Sequence, residues 1–218
     1  MPPRFFPDPR SAPSDIVAIG GELDWLVLLD AYRHGIFPWP IEKIPLTWFS
    51  PKRRAIVRFA DLHVGRSLQR QRRRQPFRLT IDRAFRQVIE ACSVVPRPGQ
   101  DGTWITREII EAYCDLHDRG HAHSVEAWDG DRLVGGIYGV DAGGAFGGES
   151  MFFIEPDASK LALLHLADHL SARGLSWMDI QVMTPHMKSL GARTLARAAF
   201  LDLLEKEQSV GRTLFPKD

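Results

Sequence analysis

Apolar and polar residues follow two different periods along the chain, which predict helices in some places and strands in others. Apolar residues recur every three to four positions after Asp24 and again after Thr106, so we expect helices there with these two residues as N-caps. Gly35 and Gly120 are suitable terminators for the two helices. The other elements expected in the first half are two strands and one helix, at 55–59, 77–81 and 82–92.

The second half has a different pattern, in which short apolar runs are joined by turns rich in Asp and Gly. These runs predict an antiparallel meander of three strands at 123–128, 132–140 and 145–152. A helix that begins at Asp157 or Ser159 and ends at Gly174 should follow. The elements expected after it are a strand at 177–182 and two helices, one around Met187 and one at 195–205.

These elements predict an α+β protein of two domains. We expect a small N-terminal α/β domain over 1–95 and a C-terminal domain over 96–218, because a loop without regular periodicity separates the two patterns near 93–103. A length of 218 residues is sufficient for two such domains with a buried core.

The order of elements in the second half resembles the N-acetyltransferase-like (GNAT-like) fold, which has a mixed sheet that opens beside the acyl donor. Proteins of that fold that use acetyl-CoA hold its pyrophosphate on a glycine-rich turn before a helix. The corresponding segment here, FFIEPDASK, has no glycine and places Glu155 and Asp157 where the anion would bind. A donor other than CoA is therefore favoured, with a CoA-dependent N-acetyltransferase as the alternative.

The formal net charge of +1, from 28 basic and 27 acidic residues, conceals a strong separation of charge. Twelve basic and two acidic residues lie between Lys52 and Arg86, so that segment carries +10 and the remainder carries −9. Such a separation indicates a polyanionic partner that binds one part of the surface.

Within the basic segment, the residues before Pro76 predict a helix with Arg66, Arg70 and either Arg73 or Arg74 on one face. Guanidinium groups in a row suit a nucleic-acid backbone, because each can bind a phosphate with two hydrogen bonds. A solvated helix face with ordinary surface arginines is the structural alternative. A noncatalytic RNA-binding module is the corresponding functional alternative.

Residues with metal or redox chemistry give little support for a cofactor. Histidines occur four apart at His165 and His169 and cluster near 117–123, but neither group has an H-E-x-x-H motif or a clear third ligand. The two cysteines, Cys92 and Cys114, form no C-x-x-C pair. We therefore predict no metal site and no cofactor. The cysteine usage and the lack of a stretch of about 20 apolar residues favour a cytoplasmic protein without a membrane segment.

Nine segments, in order over nearly the whole chain, resemble the leucyl/phenylalanyl-tRNA–protein transferase family. They are AIGGELD, AYRHGIFPW, TWFSPKRRAI, GTWITREIIEAY, GHAHSVE, LVGGIYGV, GGESMF, ASKLALL and DIQVMTPHMKSLGA. The resemblance implies an enzyme that transfers Leu, Phe or Met from aminoacyl-tRNA to the N-terminal α-amine of proteins beginning with Arg or Lys. The transferred residue would then act as a degradation signal. We expect the protein to be monomeric.

The resemblance also implies roles for particular residues. Gln181, Glu149 and Asp179 would be catalytic: Gln181 accepts a hydrogen bond from the attacking amine, Asp179 polarises it, and Glu149 acts as a base or, as we favour, holds the cationic acceptor. Residues implied to bind tRNA are Arg66, Arg70, Arg73, Tyr32 and Trp39, the last two at the terminal adenosine, with a plain core position as the alternative for Tyr32. Residues implied to line the pocket for the aminoacyl side chain, several of which can instead be core, are Trp104, Ile137, Phe146, Met151, Leu163, Leu166 and Met178.

Overall fold

The computed structural model describes residues 5–41, 44–95 and 104–216. Residues 96–103, which form most of the loop in which we expect the boundary between domains, lie outside the described residues. In the described part of the chain, helices and strands combine into an α+β structure with two sheets, which confirms the predicted fold class at this level.

The larger sheet has seven strands in the order β10-β4-β9-β8-β7-β6-β5. All neighbouring strands are antiparallel except β8 and β9, which are parallel, so the sheet is mixed. The strands are β4 (Arg53–Arg58), β5 (Arg78–Ile81), β6 (Ala122–Asp129), β7 (Arg132–Asp141), β8 (Phe146–Phe153), β9 (Trp177–Asp179) and β10 (Arg193–Ala196).

The expected meander is confirmed as β6, β7 and β8. Strands β4 and β5 precede residue 95 in the chain but belong to the same sheet as the meander. The two-domain division at 95 and 96 stays a prediction, and the large sheet contains strands from both sides of it.

The smaller sheet is antiparallel and has three short strands in the order β1-β3-β2. It lies against the end of the first helix, where Trp48 is buried and its indole N–H donates to the carbonyl of Gly20. Its strands are β1 (Ile16–Ile19), β2 (Phe37–Pro38) and β3 (Thr47–Phe49).

Seven α-helices surround the sheets in the described part of the chain. Both predicted N-caps are confirmed, since the Asp24 carboxylate accepts from the backbone N–H groups of Leu26 and Val27, and the Thr106 hydroxyl accepts from Ile109. The helices are α1 (Trp25–Arg33), α2 (Arg66–Arg74), α3 (Phe85–Val94), α4 (Arg107–Asp118), α5 (Ala158–Ala172), α6 (Pro185–Ser189) and α7 (Arg197–Val210). None of these helices is long and apolar enough to cross a membrane.

Two helical layers cover opposite faces of the meander, because side chains alternate along each strand. Tyr138 and Phe152 belong to the core that includes α1, α3 and α4. Val125 and Ile137 belong to the core that includes α5 and α7. The central strands are therefore buried on both faces, and residues near the end of the sheet lie between two helical layers.

The predicted strand at 177–182 is too long. Strand β9 ends at Asp179, and Gln181 has a left-handed backbone with φ of 55°. The reason is local, because the Asp179 carboxylate accepts a hydrogen bond from the Gln181 backbone N–H at 2.9 Å, which takes that N–H out of regular strand pairing, although the Gln181 carbonyl still accepts from the Ala55 N–H of β4 at 3.0 Å. Parallel pairing with β8 is confined to Gly147 and Asp179, after which the two strands separate.

Gly135 allows the first turn of α5 to pack directly on β7. A Cβ atom placed at this position would lie 2.6 Å from the Ala158 Cβ and 3.0 Å from the backbone nitrogen of Ser159. Backbone atoms cannot rotate away as a flexible side chain can, so the helix would have to move.

We predict that Gly135→Ala lowers the free energy of unfolding by about 1–3 kcal/mol through this overpacking. Urea denaturation of the full chain measures it, and Gly65→Ala is the matched control because a Cβ at Gly65 meets no atom within 4 Å. Equal stability of the two variants would contradict the packing argument.

Candidate active site

Glu149 of β8 lies at the point where β8 and β9 separate, and polar side chains from three other segments surround it. The Gln181 side-chain amide donates to Glu149 Oε1 at 2.7 Å. The Tyr113 hydroxyl of α4 is 3.5 Å from Glu149 Oε2, and the Tyr32 hydroxyl of α1 hydrogen-bonds to that of Tyr113. The structure therefore brings Gln181 and Glu149, both expected to be catalytic, into direct contact.

Burial raises the pKa of Glu149 from its ordinary value of 4.5 to about 8. A hydrogen bond from Tyr32 and the charge of Arg54 oppose this shift, and the neighbouring negative charge of Asp179 adds to it. Burial and the nearby Glu149 carboxylate also raise the pKa of Tyr32 and of Tyr113 well above the ordinary value for tyrosine. Both phenols thus remain protonated as donors, while Glu149 exchanges a proton near neutral pH.

Asp179 forms a buried salt bridge with Arg54 of β4. The Arg54 guanidinium donates to both carboxylate oxygens of Asp179, at 2.8 Å and 2.6 Å. The third contact of Asp179 is with the backbone N–H of Gln181, so it reaches that residue through the main chain. Gln181 therefore lies beyond β9 and not within one strand with Asp179, and polarisation of Gln181 by Asp179 stays a prediction.

Trp39 and Trp104 stack on each other, with ring centroids 5.9 Å apart and an angle of 14° between the planes. Both side chains are half-buried. Tyr32, the other aromatic residue expected at the terminal adenosine, is only 3% exposed, so stacking of a base on its ring requires neighbouring groups to move. Its hydroxyl instead faces the polar cluster around Glu149.

Most of the residues expected to line the aminoacyl pocket lie together in the core on the α5 side of the sheet. Met151 pairs with Ile137 across β7 and β8 and packs against this core from a half-buried position. Trp104 packs against the other core, beside Trp39. The fully buried members of the set are Ile137, Phe146, Leu163, Leu166 and Met178.

Helix α2 presents its arginines to solvent. Leu68 anchors the helix against Leu161 and Leu164 of α5. Arg66, Arg70 and Arg73 are exposed, and within the residues that the structure describes no ion pair involves them. Another arginine of α2, Arg72, differs from these three because it forms a salt bridge with Asp168 of α5.

A cluster of Asp82, His117 and His123 lies outside this region, with potential ligand atoms within 4.8 Å of one another. His123 Nδ1 is 2.6 Å from Asp82 Oδ2, and His117 Nδ1 is 2.7 Å from the Ala122 carbonyl. These contacts describe a hydrogen-bonded network with an acidic member that the sequence did not indicate. The lack of a metal site stays a prediction.

Two residues at the site, Tyr113 and Arg54, escaped the sequence reasoning. Tyr113 lies on the apolar face of α4, so its spacing predicted only burial. Arg54 belongs to the basic segment between Lys52 and Arg86, where it was indistinguishable from surface arginines. Its place among the apolar residues of β4 was the one indication of an inward-facing side chain.

Comparison with known proteins identifies the family of the chain. Residues 56–205 match the family model "Leucyl/phenylalanyl-tRNA protein transferase", and residues 21–52 match the model of its N-terminal domain. The chain belongs to the leucyl/phenylalanyl-tRNA–protein transferase family.

Curated relatives with the name leucyl/phenylalanyl-tRNA–protein transferase align over most of the chain. The protein from Anaeromyxobacter dehalogenans (strain 2CP-C) is 50% identical over 202 residues, which cover 92% of this chain and 87% of the relative. That from Myxococcus xanthus (strain DK1622) is 49% identical over 205 residues, or 94% and 88% of the two chains. A solved structure of a functionally unknown conserved protein from Staphylococcus epidermidis ATCC 12228 has a TM-score of 0.44 at 8% identity, over 83% of this chain and 68% of that one.

The raised pKa of Glu149 predicts a definite dependence of stability on pH. Between pH 4.5 and about 8 the folded protein holds a proton that the unfolded chain releases, so Glu149 makes the free energy of unfolding fall as pH rises. Glu149→Gln removes this titration and should exceed wild type by roughly 1–3 kcal/mol at pH 8.5, with a smaller difference at pH 5.

Urea denaturation across pH 5–9 measures the difference. Glu22→Gln is the control, because Glu22 is exposed and distant in sequence from the cluster. If Glu149→Gln and wild type keep a constant difference over this range, Glu149 does not have the raised pKa.

Proposed function

We propose that this protein transfers Leu, Phe or Met from aminoacyl-tRNA to the N-terminal α-amine of proteins that begin with Arg or Lys. The observation that carries the proposal is the contact between Glu149 and Gln181 where β8 and β9 separate. It occurs in a chain about half identical to curated leucyl/phenylalanyl-tRNA–protein transferases. The new N-terminal residue would serve as a degradation signal.

The reaction needs positioning more than strong activation. The donor is an ester, and the acceptor amine has an ordinary pKa of about 7.7–8.0, so a substantial neutral fraction exists near pH 7.5. The amine nitrogen attacks the ester carbonyl, the bond from carbonyl carbon to ribose oxygen breaks, and a proton passes from the amine to the departing 3′-oxygen. Correct alignment of the two substrates supplies much of the rate increase.

Gln181 and Glu149 have complementary roles in this scheme. Because the Gln181 side-chain N–H donates to Glu149, its amide oxygen points away from that carboxylate and can accept from the attacking amine. Glu149 in its ionised form stabilises the cationic acceptor or the developing ammonium. Asp179 fixes the backbone of Gln181 through the contact with its N–H.

We infer that the second half of the chain is a GNAT-like aminoacyltransferase unit. Its support is the mixed sheet in which parallel strands β8 and β9 separate beside the cluster, with α5 as the connection between them. Acidic residues occupy the start of α5: Asp157 pairs with Lys160, and Glu155 pairs with Arg132. Negative charge at this position argues against the pyrophosphate of CoA.

The tRNA would bind along α2, with Arg66, Arg70 and Arg73 on phosphates of the acceptor stem and the aminoacyl ester directed toward Glu149. The Trp39 ring suits the terminal adenosine, because stacking of a base on an aromatic side chain contributes about 1–3 kcal/mol. The apolar residues around Ile137 and Met151 would take the side chain of Leu, Phe or Met. Branching at Cβ would then be rejected by shape.

We propose further that the protein acts as a cytoplasmic monomer with domains over 1–95 and 96–218. Both cysteines are free and buried, as suits a reducing compartment.

Transfer of labelled Leu, Phe and Met from their tRNAs to proteins beginning with Arg, Lys, Asp or Glu tests the proposed function. We expect label on the Arg and Lys proteins only. Transfer to Asp or Glu would assign a different acceptor class, and no transfer with folded protein and intact donors would refute the proposal. Retained tRNA binding in that last case would favour an RNA-binding module, and acetylation with acetyl-CoA would favour an acetyltransferase.

The arginines of α2 make a second prediction. The triple variant Arg66→Ala/Arg70→Ala/Arg73→Ala should raise the KM for aminoacyl-tRNA without lowering kcat at saturating donor. It should also reduce the slope of log affinity against log salt by about 1 for each phosphate that the variant no longer binds.

Arg72→Ala is the matched control for the triple variant, since Arg72 belongs to the same helix but its side chain pairs with Asp168 of α5. If Arg72→Ala reduces the slope of log affinity against log salt as much per arginine as the triple variant does, α2 contributes general positive charge and not an ordered row of phosphate-binding groups.

A further inference from the structure

Arg54 is the most enclosed charged side chain at the site, and none of its contacts is with solvent-exposed groups. It is 1% exposed and lies between the rings of Phe37 and Phe200, with its guanidinium carbon 4.6 Å from each ring centroid. Its third nitrogen donates to the Gly35 carbonyl at 3.0 Å, and the other two bind Asp179. A guanidinium stays charged in such a position, so its orientation is fixed by all of these partners together.

Through these contacts Arg54 joins the two segments that carry the polar side chains of the site. On one side, Asp179 holds the backbone N–H of Gln181, whose side chain donates to Glu149. On the other side, the Gly35 carbonyl follows α1, which carries Tyr32. The segment that carries Gln181 and the segment that carries Tyr32 therefore both bind to the Arg54 guanidinium group.

We propose that Arg54 is a positioning residue for the transfer reaction: by binding Asp179 and the Gly35 carbonyl at once, it holds Gln181 and Tyr32 in place around Glu149. This inference rests on the proposed function. Arg54 touches neither substrate in this role, because its side chain is buried and its guanidinium is already occupied by Asp179, the Gly35 carbonyl and two aromatic rings.

The geometry also explains why arginine is needed here in place of lysine. Two parallel N–H groups bind the two Asp179 oxygens, while a third bonds to Gly35 and the planar group lies between two rings. A lysine ammonium carries the same charge but cannot make the paired contact or fill the space between the rings. Charge and geometry can therefore be tested separately.

Removal of the charge should change the titration of Glu149. The charged and titratable groups that face Glu149 are Tyr32 of α1, Tyr113 of α4, Asp179 of β9 and Arg54 of β4. Arg54 is the cationic member and lowers the pKa of Glu149, whereas Asp179 raises it. Without Arg54, the uncompensated Asp179 charge adds to burial, and the pKa of Glu149 should rise further.

The experiment compares wild type, Arg54→Met and Arg54→Lys by initial rates of Phe transfer to an Arg-initiated protein across pH 6–9. For Arg54→Met we expect kcat to fall about 100-fold with little change in the KM for Phe-tRNA, and the acid limb of the kcat profile to move to higher pH. For Arg54→Lys we expect an intermediate kcat with the acid limb close to its wild-type position.

Arg53→Met is the matched control, because Arg53 is the preceding residue of β4, is exposed, and bonds to Thr194. Its kcat at saturating donor should equal that of wild type. Circular dichroism and thermal melting establish the folded fraction of each variant.

A purely structural role for Arg54 predicts a lower melting temperature with unchanged kcat per folded molecule and an unmoved acid limb, and that result overturns the proposal. If Arg54→Met does not fold, wild-type kcat in Arg54→Lys overturns it equally. The wild-type rate separately decides the proposed function. NMR of the Gln181 side-chain amide measures the positioning without turnover: unchanged Gln181 signals in Arg54→Lys refute the proposal, and displaced Gln181 signals support it.

Discussion

Two carboxylates lie on neighbouring strands, Asp179 buried and Glu149 half-buried, and each must be compensated for its loss of water. Asp179 receives a full guanidinium partner in Arg54 and a backbone N–H. Glu149 receives neutral donors from Gln181 and Tyr113. This unequal compensation leaves Asp179 in an ion pair, whereas burial raises the pKa of Glu149 to about 8, as is common where proteins carry out proton transfer.

The arrangement follows from the way in which the sheet ends. Strands β8 and β9 pair at Gly147 and Asp179 and do not pair with each other beyond these residues, so the side chains of Glu149 and Gln181 meet between the two strands and can face a substrate. Helix α5 covers one side and α1, α3 and α4 cover the other, which excludes water from the base of the cluster. Because β8 and β9 separate after one residue pair, the cluster around Glu149 is enclosed by helices at its base and can be reached by a substrate from the side where the strands part.

Local chemistry made much of the fold predictable from the sequence. The caps at Asp24 and Thr106 and the meander were foreseen, because each depends on residues close together in the chain. The end of β9 was not, since β-type periodicity continues through Gln181 while the Asp179 side chain takes the backbone N–H that a strand would use. The three-stranded sheet was also missed, because its strands are short and surrounded by prolines.

The candidate site was predictable as a list of residue types but not as a set of contacts. Gln181 and Glu149 are 32 positions apart and meet only when α5 brings β9 beside β8. The apolar spacing of α4 shows that Tyr113 faces inward, yet nothing in the spacing shows which group its hydroxyl meets. Arg54 is the extreme case, because its burial depends on partners from three separate segments of the chain.

The left-handed backbone at Gln181 limits which residues can replace it during evolution. Asparagine and glycine adopt this conformation most easily, whereas a longer side chain is held there at a cost of about 1 kcal/mol or more. Asparagine would relieve the backbone, but it is one methylene shorter and its amide could not cover the distance that now gives a 2.7 Å contact with Glu149. The side chain at this position is therefore the one that reaches Glu149, and not the one that the left-handed backbone prefers. Replacement of Gln181 by asparagine would relieve the backbone strain but lose the contact with the carboxylate.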